Sequence, residues 1–105
     1  MQSGEVFRLR PPRDTRGREL LGVRYGVVVQ ADALMALSTI IVAPTSTSVR
    51  AASFRPEISV AGETTRVVIE QMRAVDPGRL GVSAGLLRRS EIDEIDRALA
   101  TVLDL

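Results

Sequence analysis

The chain has 105 residues, 45% of them hydrophobic and 26% charged, which is typical of one folded globular domain rather than a disordered tail. No apolar run is long enough to span a bilayer, and Glu5 and Arg8 stand where a signal peptide would be apolar, so we expect a single cytoplasmic domain over residues 1–105. The absence of cysteine and histidine argues against a zinc site and against imidazole acid–base catalysis, and we expect no metal and no cofactor.

The charged residues are unevenly distributed along the chain. Residues 1–55 hold eight arginines and four acids, whereas residues 56–105 hold six arginines and nine acids. All 14 basic residues are arginine. A basic first half facing an acidic second half favours a polyanionic ligand bound on one side of the domain.

The first half of the chain predicts two strands joined by a long polar segment. Alternation over residues 4–10 indicates a first strand with Phe7 and Leu9 toward the core. Residues 11–21 are long for a hairpin connection, and loops of that length often carry function. Residues 22–30 then contain three consecutive valines, which predicts a central strand buried on both faces.

Further short elements follow the central strand. Residues 31–38 fit a short helical turn, and residues 39–44 form a second apolar strand that we expect to end at Pro44. The four hydroxyl residues at 45–48 are typical of a polar turn. Residues 54–60 predict a strand that Pro56 places at a sheet edge, and residues 61–63 predict a turn.

The last part of the chain predicts a long strand, a short strand and a helix. The strand covers residues 66–75, a turn occupies residues 76–78, and the short strand covers residues 80–83. Ser90 and Asp93 match a capping pattern for an amphipathic helix over residues 91–103, whose outer face carries Glu91 among other acids. Five or six short strands and one terminal helix indicate a mainly β fold, either a strongly curved antiparallel sheet or a partly open barrel.

Arg24 is the first candidate functional residue, because it precedes the valine run of the predicted central strand. A guanidinium group stays protonated and presents a planar fork of donors that suits a phosphate or a carboxylate. The alternative is an arginine at the edge of the sheet whose stem packs on neighbouring side chains while its head group reaches water.

Several motifs, taken in order, resemble the MazF/PemK family of bacterial toxin endoribonucleases, and the resemblance runs from residue 4 to residue 105. The motifs are Gly4-Glu5-Val6, Gly17-x-Glu19-x-x-Gly22-x-Arg24, Pro44-x-Ser46-Thr47, Phe54, Glu70-Gln71-x-Arg73 with Asp76, and the closing helix. The resemblance implies an SH3-like, partly open barrel and a homodimer. It also implies a toxin of a type II toxin–antitoxin system, which cleaves single-stranded RNA and is neutralised by a small antitoxin protein.

The resemblance also suggests roles for residues at matching positions. Arg24 matches the family's catalytic arginine, Ser46 its catalytic threonine, and Glu19 a functionally important acid of the loop. The candidate RNA-binding residues are Arg16, Arg18, Tyr25, Thr47, Glu70, Gln71 and Arg73.

Alternatives stay open for several of these residues. Glu19 could be a solvated acid paired with Arg16 or Arg18, Glu70 could form a structural ion pair with an arginine, and Arg73 could serve dimer packing. The chain also departs from the family pattern at three places. Tyr25 replaces a proline, Ser46 replaces threonine, and Arg8 and Arg10 occupy a strand that is usually aromatic and acidic.

The expected reaction is attack of an RNA 2′-hydroxyl on the adjacent phosphate, which leaves a 2′,3′-cyclic phosphate and a 5′-hydroxyl. Arg24 and Ser46 would stabilise the charge on the phosphate oxygens, and Glu19 is the first candidate for the general base. Two other functions stay open at this point. One is a CcdB-like toxin that binds DNA gyrase without nuclease activity, and the other is a degenerate family member that binds RNA or an antitoxin without cutting.

Overall fold

Seven antiparallel strands and one C-terminal helix make up the described part of the chain, which is residues 1–10 and 24–105 of a computed structural model. The elements are β1 (Glu5–Leu9), β2 (Tyr25–Val28), β3 (Ile40–Ser46), β4 (Glu57–Val60), β5 (Glu63–Val67), β6 (Arg73–Val75), β7 (Leu80–Leu86) and α1 (Arg89–Leu103). The predicted mainly β fold with a terminal helix is therefore confirmed. The described residues contain no helix long and apolar enough to cross a membrane.

The strands form one strongly curved sheet with a core on each side. Their order is β4-β5-β3-β2-β1-β7, and β6 pairs with the first half of β3. The helix-side core contains Val6, Val27, Ala43, Ile58, Val60, Val67, Ile69, Leu87, Ile95 and Ala98. The opposite core contains Phe7, Val28, Ile40, Val42, Val75 and Leu80.

Strands β1 and β2 are buried on both faces. Val27 lies in the helix-side core and Val28 in the opposite core, which confirms the interpretation of the valine run. The prediction that β1 has one core face is wrong, because Val6 and Phe7 are both buried in different cores. Alternation in the sequence shows which residues share a face, but the helix and the curvature of the sheet decide whether each face is covered.

The segment between β2 and β4 differs from the prediction at the end of β3 and at the start of β4, which begins at Glu57 and not at residue 54. The predicted helical turn is present as a short 3-10 helix, Asp32–Leu34, and β4 lies at the edge of the sheet directly after Pro56. However, β3 does not end at Pro44 but continues to Ser46. Pro44 lacks a donor, yet its carbonyl accepts a hydrogen bond of 2.8 Å from the Val68 amide, so the strand keeps a partner at this position.

The long strand predicted for residues 66–75 is interrupted. Strand β5 pairs with Thr45 and Ser46 at the end of β3, and β6 pairs with residues 40–42 at its start. Between these two pairings, the connection from β5 to β6 has three more residues than β3 has. The 3-10 turn Ile69–Gln71 lies in this connection. The excursion places Ile69 in the helix-side core and leaves Glu70 and Gln71 exposed.

The helix begins earlier than predicted, and this changes the role of Glu91. The N-cap residue is Arg88, not Ser90, and its amide donates to Glu91 Oε1 at 2.9 Å. Glu91 Oε2 accepts from the Ser59 amide of β4 at 2.8 Å. The predicted exposed position of Glu91 is therefore wrong, since this residue is only 6% exposed and ties the helix to an edge strand.

The hydrogen bonds of Glu91 make its stability contribution dependent on pH. Burial by itself would raise the pKa of Glu91, but the amides of Arg88 and Ser59 and the Arg88 side chain outweigh it and lower the pKa below its ordinary value. The unfolded chain therefore binds this proton more tightly than the folded protein. The stabilisation by the carboxylate is complete above the ordinary glutamate pKa and is lost as the pH falls through the lower folded pKa.

We expect Glu91→Gln to lower the free energy of unfolding by about 1–3 kcal/mol at pH 7, since hydrogen bonds to a charged acceptor are weakened. The difference from the wild type should shrink when urea denaturation is repeated below the ordinary glutamate pKa of about 4.3, as the pH falls through the lower pKa of folded Glu91. Glu94→Gln is the matched control, because Glu94 forms only an exposed ion pair with Arg97. A Glu91 variant as stable as the wild type at pH 7 would contradict this role.

Candidate active site

Arg24 directly precedes β2, and its backbone is held by β1. The Leu9 amide donates to the Arg24 carbonyl at 2.9 Å, which continues the pairing of Arg8 with Tyr25 by one residue. The Arg24 residue is exposed. A fixed main chain with an exposed guanidinium suits a residue that binds an anion from solvent.

Ser46 is the last residue of β3 and is half-buried. Its Oγ accepts a hydrogen bond of 3.2 Å from the Ser48 amide and lies 3.3 Å from Ser48 Oγ. The amide occupies one lone pair of the hydroxyl oxygen, so the hydroxyl proton can be donated to another acceptor.

Strand alternation assigns Arg24 and Ser46 to the same face of the sheet. Strand β2 pairs with β3 through Gly26–Pro44, Val27–Ala43 and Val28–Val42. The pairing ends at Gly26 and Pro44, and Arg24 and Ser46 each lie two residues beyond this pair along their own chains. Because every second residue of a strand projects from the same face, Arg24 shares the face of Gly26 and Ser46 shares the face of Pro44, so both belong to one side of the sheet.

A second group of arginines lies on this side of the sheet. Arg73 of β6 pairs with Val42, which shares a face with Ser46 by strand alternation. Burial, and then the nearby charge of Arg73, lower the pKa of the Arg79 guanidinium. Arg79 Nε also donates to the Arg10 carbonyl at 2.6 Å. The proximity of Arg73 and Arg79 creates a positive surface suited to an anionic ligand.

The other residues predicted to contact RNA differ in their exposure and in the face of the sheet on which they lie. Thr47 is exposed and follows Ser46 directly, and Gln71 is exposed in the 3-10 turn. Tyr25 is half-buried and packs against the helix-side core, so it faces away from Arg24 and is not brought together with Ser46. Its role in RNA binding stays a prediction.

Glu70 forms the structural ion pair that was one of the two interpretations of this residue. Its Oε2 accepts from Arg55 Nε at 2.8 Å and from Arg55 Nη2 at 2.5 Å. These hydrogen bonds are the largest cause of the lowered pKa of Glu70. The sequence did not single out Arg55, because its partner is 15 residues away and reaches it only through the turn between β5 and β6.

Other residues of this region were not predicted either. Ser48 contacts the Ser46 hydroxyl, and its only signal in the sequence was its place in the cluster of four hydroxyls. Arg79 and Arg10 are brought together across 69 residues by the pairing of β1 with β7, and only the excess of arginine pointed to them.

Three predicted residues, Arg16, Arg18 and Glu19, lie outside the described residues. Within residues 1–10 and 24–105, no three Asp or Glu side chains group in a way that could hold a metal ion.

Comparison with known sequences gives two findings that cover almost the whole chain. The model of a family described as PemK-like, MazF-like toxin of type II toxin–antitoxin system matches residues 2–103. Rv3098A of Mycobacterium tuberculosis, a protein inferred to be a toxin, is 36% identical over 103 residues, which are 97% of this chain and 96% of that protein.

Solved structures share the fold at much lower sequence identity. A mycobacterial endoribonuclease in complex with its cognate antitoxin has a TM-score of 0.81 at 19% identity and covers 100% of this chain and 96% of its own. Toxin MazF-mt6 of Mycobacterium tuberculosis gives 0.77 at 17% identity, with coverage of 96% and 97%. MazF of Deinococcus radiodurans also gives 0.77 at 17% identity, with coverage of 100% and 97%. These likenesses confirm the half-open barrel with a C-terminal helix.

Proposed function

Because the chain belongs to the family of PemK-like, MazF-like toxins of type II toxin–antitoxin systems, we propose that it is an endoribonuclease that cuts single-stranded RNA at selected sequences. The observation that supports this proposal is the register of β2 and β3, from which strand alternation assigns the cation of Arg24 and the hydroxyl of Ser46 to the same face of the sheet. Arg73 adds a further cation on that face, as binding of an RNA backbone requires.

The reaction is an internal transfer that requires no added metal or water. The RNA 2′-oxygen forms a bond to the adjacent phosphorus while the bond from phosphorus to the 5′-oxygen breaks. A base takes the proton of the 2′-hydroxyl, and an acid gives one to the departing 5′-oxygen, so the products are a 2′,3′-cyclic phosphate and a 5′-hydroxyl. The protein must align the three reacting atoms and stabilise the charge on the phosphate oxygens.

Arg24 and Ser46 both stabilise the negative charge of the phosphate. The Arg24 guanidinium donates charge-assisted hydrogen bonds to the nonbridging oxygens, where a bidentate geometry is favoured. The Ser46 hydroxyl donates a further hydrogen bond, since its oxygen already accepts from the Ser48 amide. Loss of one such donor in comparable sites typically costs about 2.7–4 kcal/mol of transition-state stabilisation.

Proton transfer and binding are assigned to other residues. Glu19 is our candidate for the base that accepts the 2′-hydroxyl proton. Arg16, Arg18, Thr47, Gln71 and Arg73 are candidates for contacts to RNA, with Tyr25 as a candidate outside the Arg24 face. Glu70 acts mainly through its ion pair with Arg55.

We also propose a homodimer that is neutralised by a small cognate antitoxin protein. A structural neighbour of this chain was solved in complex with its cognate antitoxin, and MazE–MazF complexes of Deinococcus radiodurans share the fold.

The function is tested by incubating the purified protein with single-stranded RNA in EDTA. We expect cleavage that leaves 2′,3′-cyclic phosphate ends, identified by mass spectrometry. A matched oligonucleotide with a 2′-deoxyribose at the cleaved position should stay intact, because it lacks the attacking hydroxyl. Intact RNA in both cases would contradict the proposal, and a DNA gyrase supercoiling assay would then test the CcdB-like alternative.

A further inference from the structure

The segment that follows Ser46 leads from the candidate site to the edge strand β4. It covers residues 47–56 and contains no strand or helix. It is closed at its end by the Val67 amide, which donates to the Pro56 carbonyl at 2.9 Å. Within the segment the Arg55 amide donates to the Ala52 carbonyl at 3.0 Å, and side-chain contacts add further restraints.

Arg55 supplies most of these contacts. Its Nε and Nη2 donate to Glu70 Oε2 in the 3-10 turn, and its Nη1 donates to the Arg50 carbonyl at 2.9 Å. The guanidinium carbon also lies 5.2 Å from the centroid of the Phe54 ring, within the range of a cation–π contact. One side chain thus joins the middle of the segment to the turn between β5 and β6.

The same network reaches Ser46 from both sides. Arg66, which pairs directly with Ser46 in β5, donates from Nη1 to the Arg55 carbonyl at 2.9 Å. Arg50 is two residues beyond Ser48, whose amide donates to Ser46 Oγ. The Arg55 side chain therefore restrains the bend after Ser46 through the Arg50 carbonyl, and the Arg55 main chain contacts the residue that pairs with Ser46.

We propose that Arg55 is a positioning residue, which through Glu70 and the Arg50 carbonyl holds residues 47–55 so that the Ser46 hydroxyl points at the RNA phosphate. This inference rests on the proposed function of the site. Each of the three guanidinium nitrogens of Arg55 already has an acceptor within the protein, and its side chain is only 22% exposed. These contacts favour a positioning role over a direct contact between Arg55 and RNA.

The first test compares cleavage by Arg55→Ala, Glu70→Gln and Arg50→Ala in EDTA. Because small misplacements of a catalytic group are costly, we expect kcat to fall about 10- to 100-fold in the first two variants with a much smaller change in KM. Arg50→Ala is the matched control, since it removes an equal charge from the same segment but keeps the carbonyl that Arg55 uses. Its effect should fall on KM alone. Unchanged kcat in Arg55→Ala would overturn the proposal while leaving the proposed function intact.

The direction of the two effects separates positioning from direct RNA binding. If Arg55 served only as a cation for RNA, loss of Arg55 would weaken binding and loss of the Glu70 charge would strengthen it. Positioning predicts that both variants lose kcat together. It also predicts that the charge exchange Arg55→Glu with Glu70→Arg recovers part of the rate lost in Arg55→Glu alone, and opposite effects of the two single variants would overturn it.

A second measurement does not depend on RNA cleavage. Trypsin cuts after arginine but not before proline, so within residues 47–56 it can cut only after Arg50, because Arg55 precedes Pro56. We expect cleavage after Arg50 to become at least about tenfold faster in Arg55→Ala and Glu70→Gln, since local opening is favoured when a charged hydrogen bond is lost. Unchanged proteolysis would overturn the inference whether or not the wild-type protein cuts RNA. Faster proteolysis with an inactive wild type would instead show that only the proposed function had failed.

Discussion

Replacement of Arg24 with alanine is expected to lower the rate of RNA cleavage in EDTA by about 1,000-fold or more, because the variant loses the permanent cation on the same face of the sheet as Ser46. The fold should persist, since the residue is exposed and its carbonyl, which accepts from the Leu9 amide, is kept. We expect the free energy of unfolding to change by less than about 0.5 kcal/mol, as is usual for a surface substitution. Single-turnover cleavage and thermal denaturation of the same preparation measure both effects.

Arg8→Ala is the matched control for this experiment. Arg8 is also exposed and lies on the neighbouring strand, but it pairs with Tyr25 and so belongs to the other face of the sheet. It should keep a cleavage rate within about tenfold of the wild type, because only general electrostatic attraction of RNA is lost. Equal losses in Arg8→Ala and Arg24→Ala would contradict a specific role for Arg24.

Combination with Ser46 variants tests whether both residues act on the same phosphate. Ser46→Ala should lose about 100-fold in rate, while Ser46→Thr should keep most of the activity because the hydroxyl is retained. If Arg24 and Ser46 act as a unit, the double alanine variant should lose less than the product of the two single losses. Full multiplicativity would indicate that the two side chains act independently.

Replacement of Ile69 with alanine is expected to destabilise the protein by about 2–5 kcal/mol, the usual range when a large core side chain is truncated. Ile69 is fully buried, at 0% exposure, in the helix-side core. Its removal leaves a cavity where the 3-10 turn meets α1 and β3. For a domain of this size such a loss lowers the melting temperature by at least about 10 °C, which urea and thermal denaturation can both detect.

Ile41→Ala removes the same atoms from a residue that is 38% exposed. We expect a loss of about 1 kcal/mol, since less apolar surface is returned to water and no closed cavity forms. A similar stability for Ile69→Ala and Ile41→Ala would mean that the turn does not anchor the core. Because the turn also carries Glu70, Ile69→Ala should in addition speed tryptic cleavage after Arg50.

The elements that the sequence predicted well are those with strong local patterns. The valine run of β2 and the helical spacing of apolar residues in α1 both appear where they were expected. The interrupted strand at residues 66–75 was missed because Val68 and Ile69 are as apolar as a continuous strand would be. Only the pairing of β5 and β6 with different parts of β3 requires the three-residue excursion.

For the candidate site, too, the sequence identified individual residues, and the structure showed how they are arranged. Motif spacing was enough to name Arg24 and Ser46, but their shared face depends on the register of β2 with β3, which pairs residues far apart in the chain. The ion pair of Arg55 with Glu70 and the burial of Glu91 against Ser59 depend on similar long-range contacts. Glu70 belonged to a motif, but no local pattern showed that Arg55 would pair with it or that Glu91 would be buried.

The sequence by itself determined the mainly β character, the terminal helix, the absence of thiolate and imidazole chemistry, and the residues able to bind a phosphate. The tertiary structure alone decided which of those residues share a surface, which acids are held by hydrogen bonds, and how residues 47–55 are restrained. The physical reason is that apolar periodicity records only which residues of one strand or helix share a face. Which partner covers it is decided by strand register and by the burial of polar groups that must find hydrogen bonds across the fold.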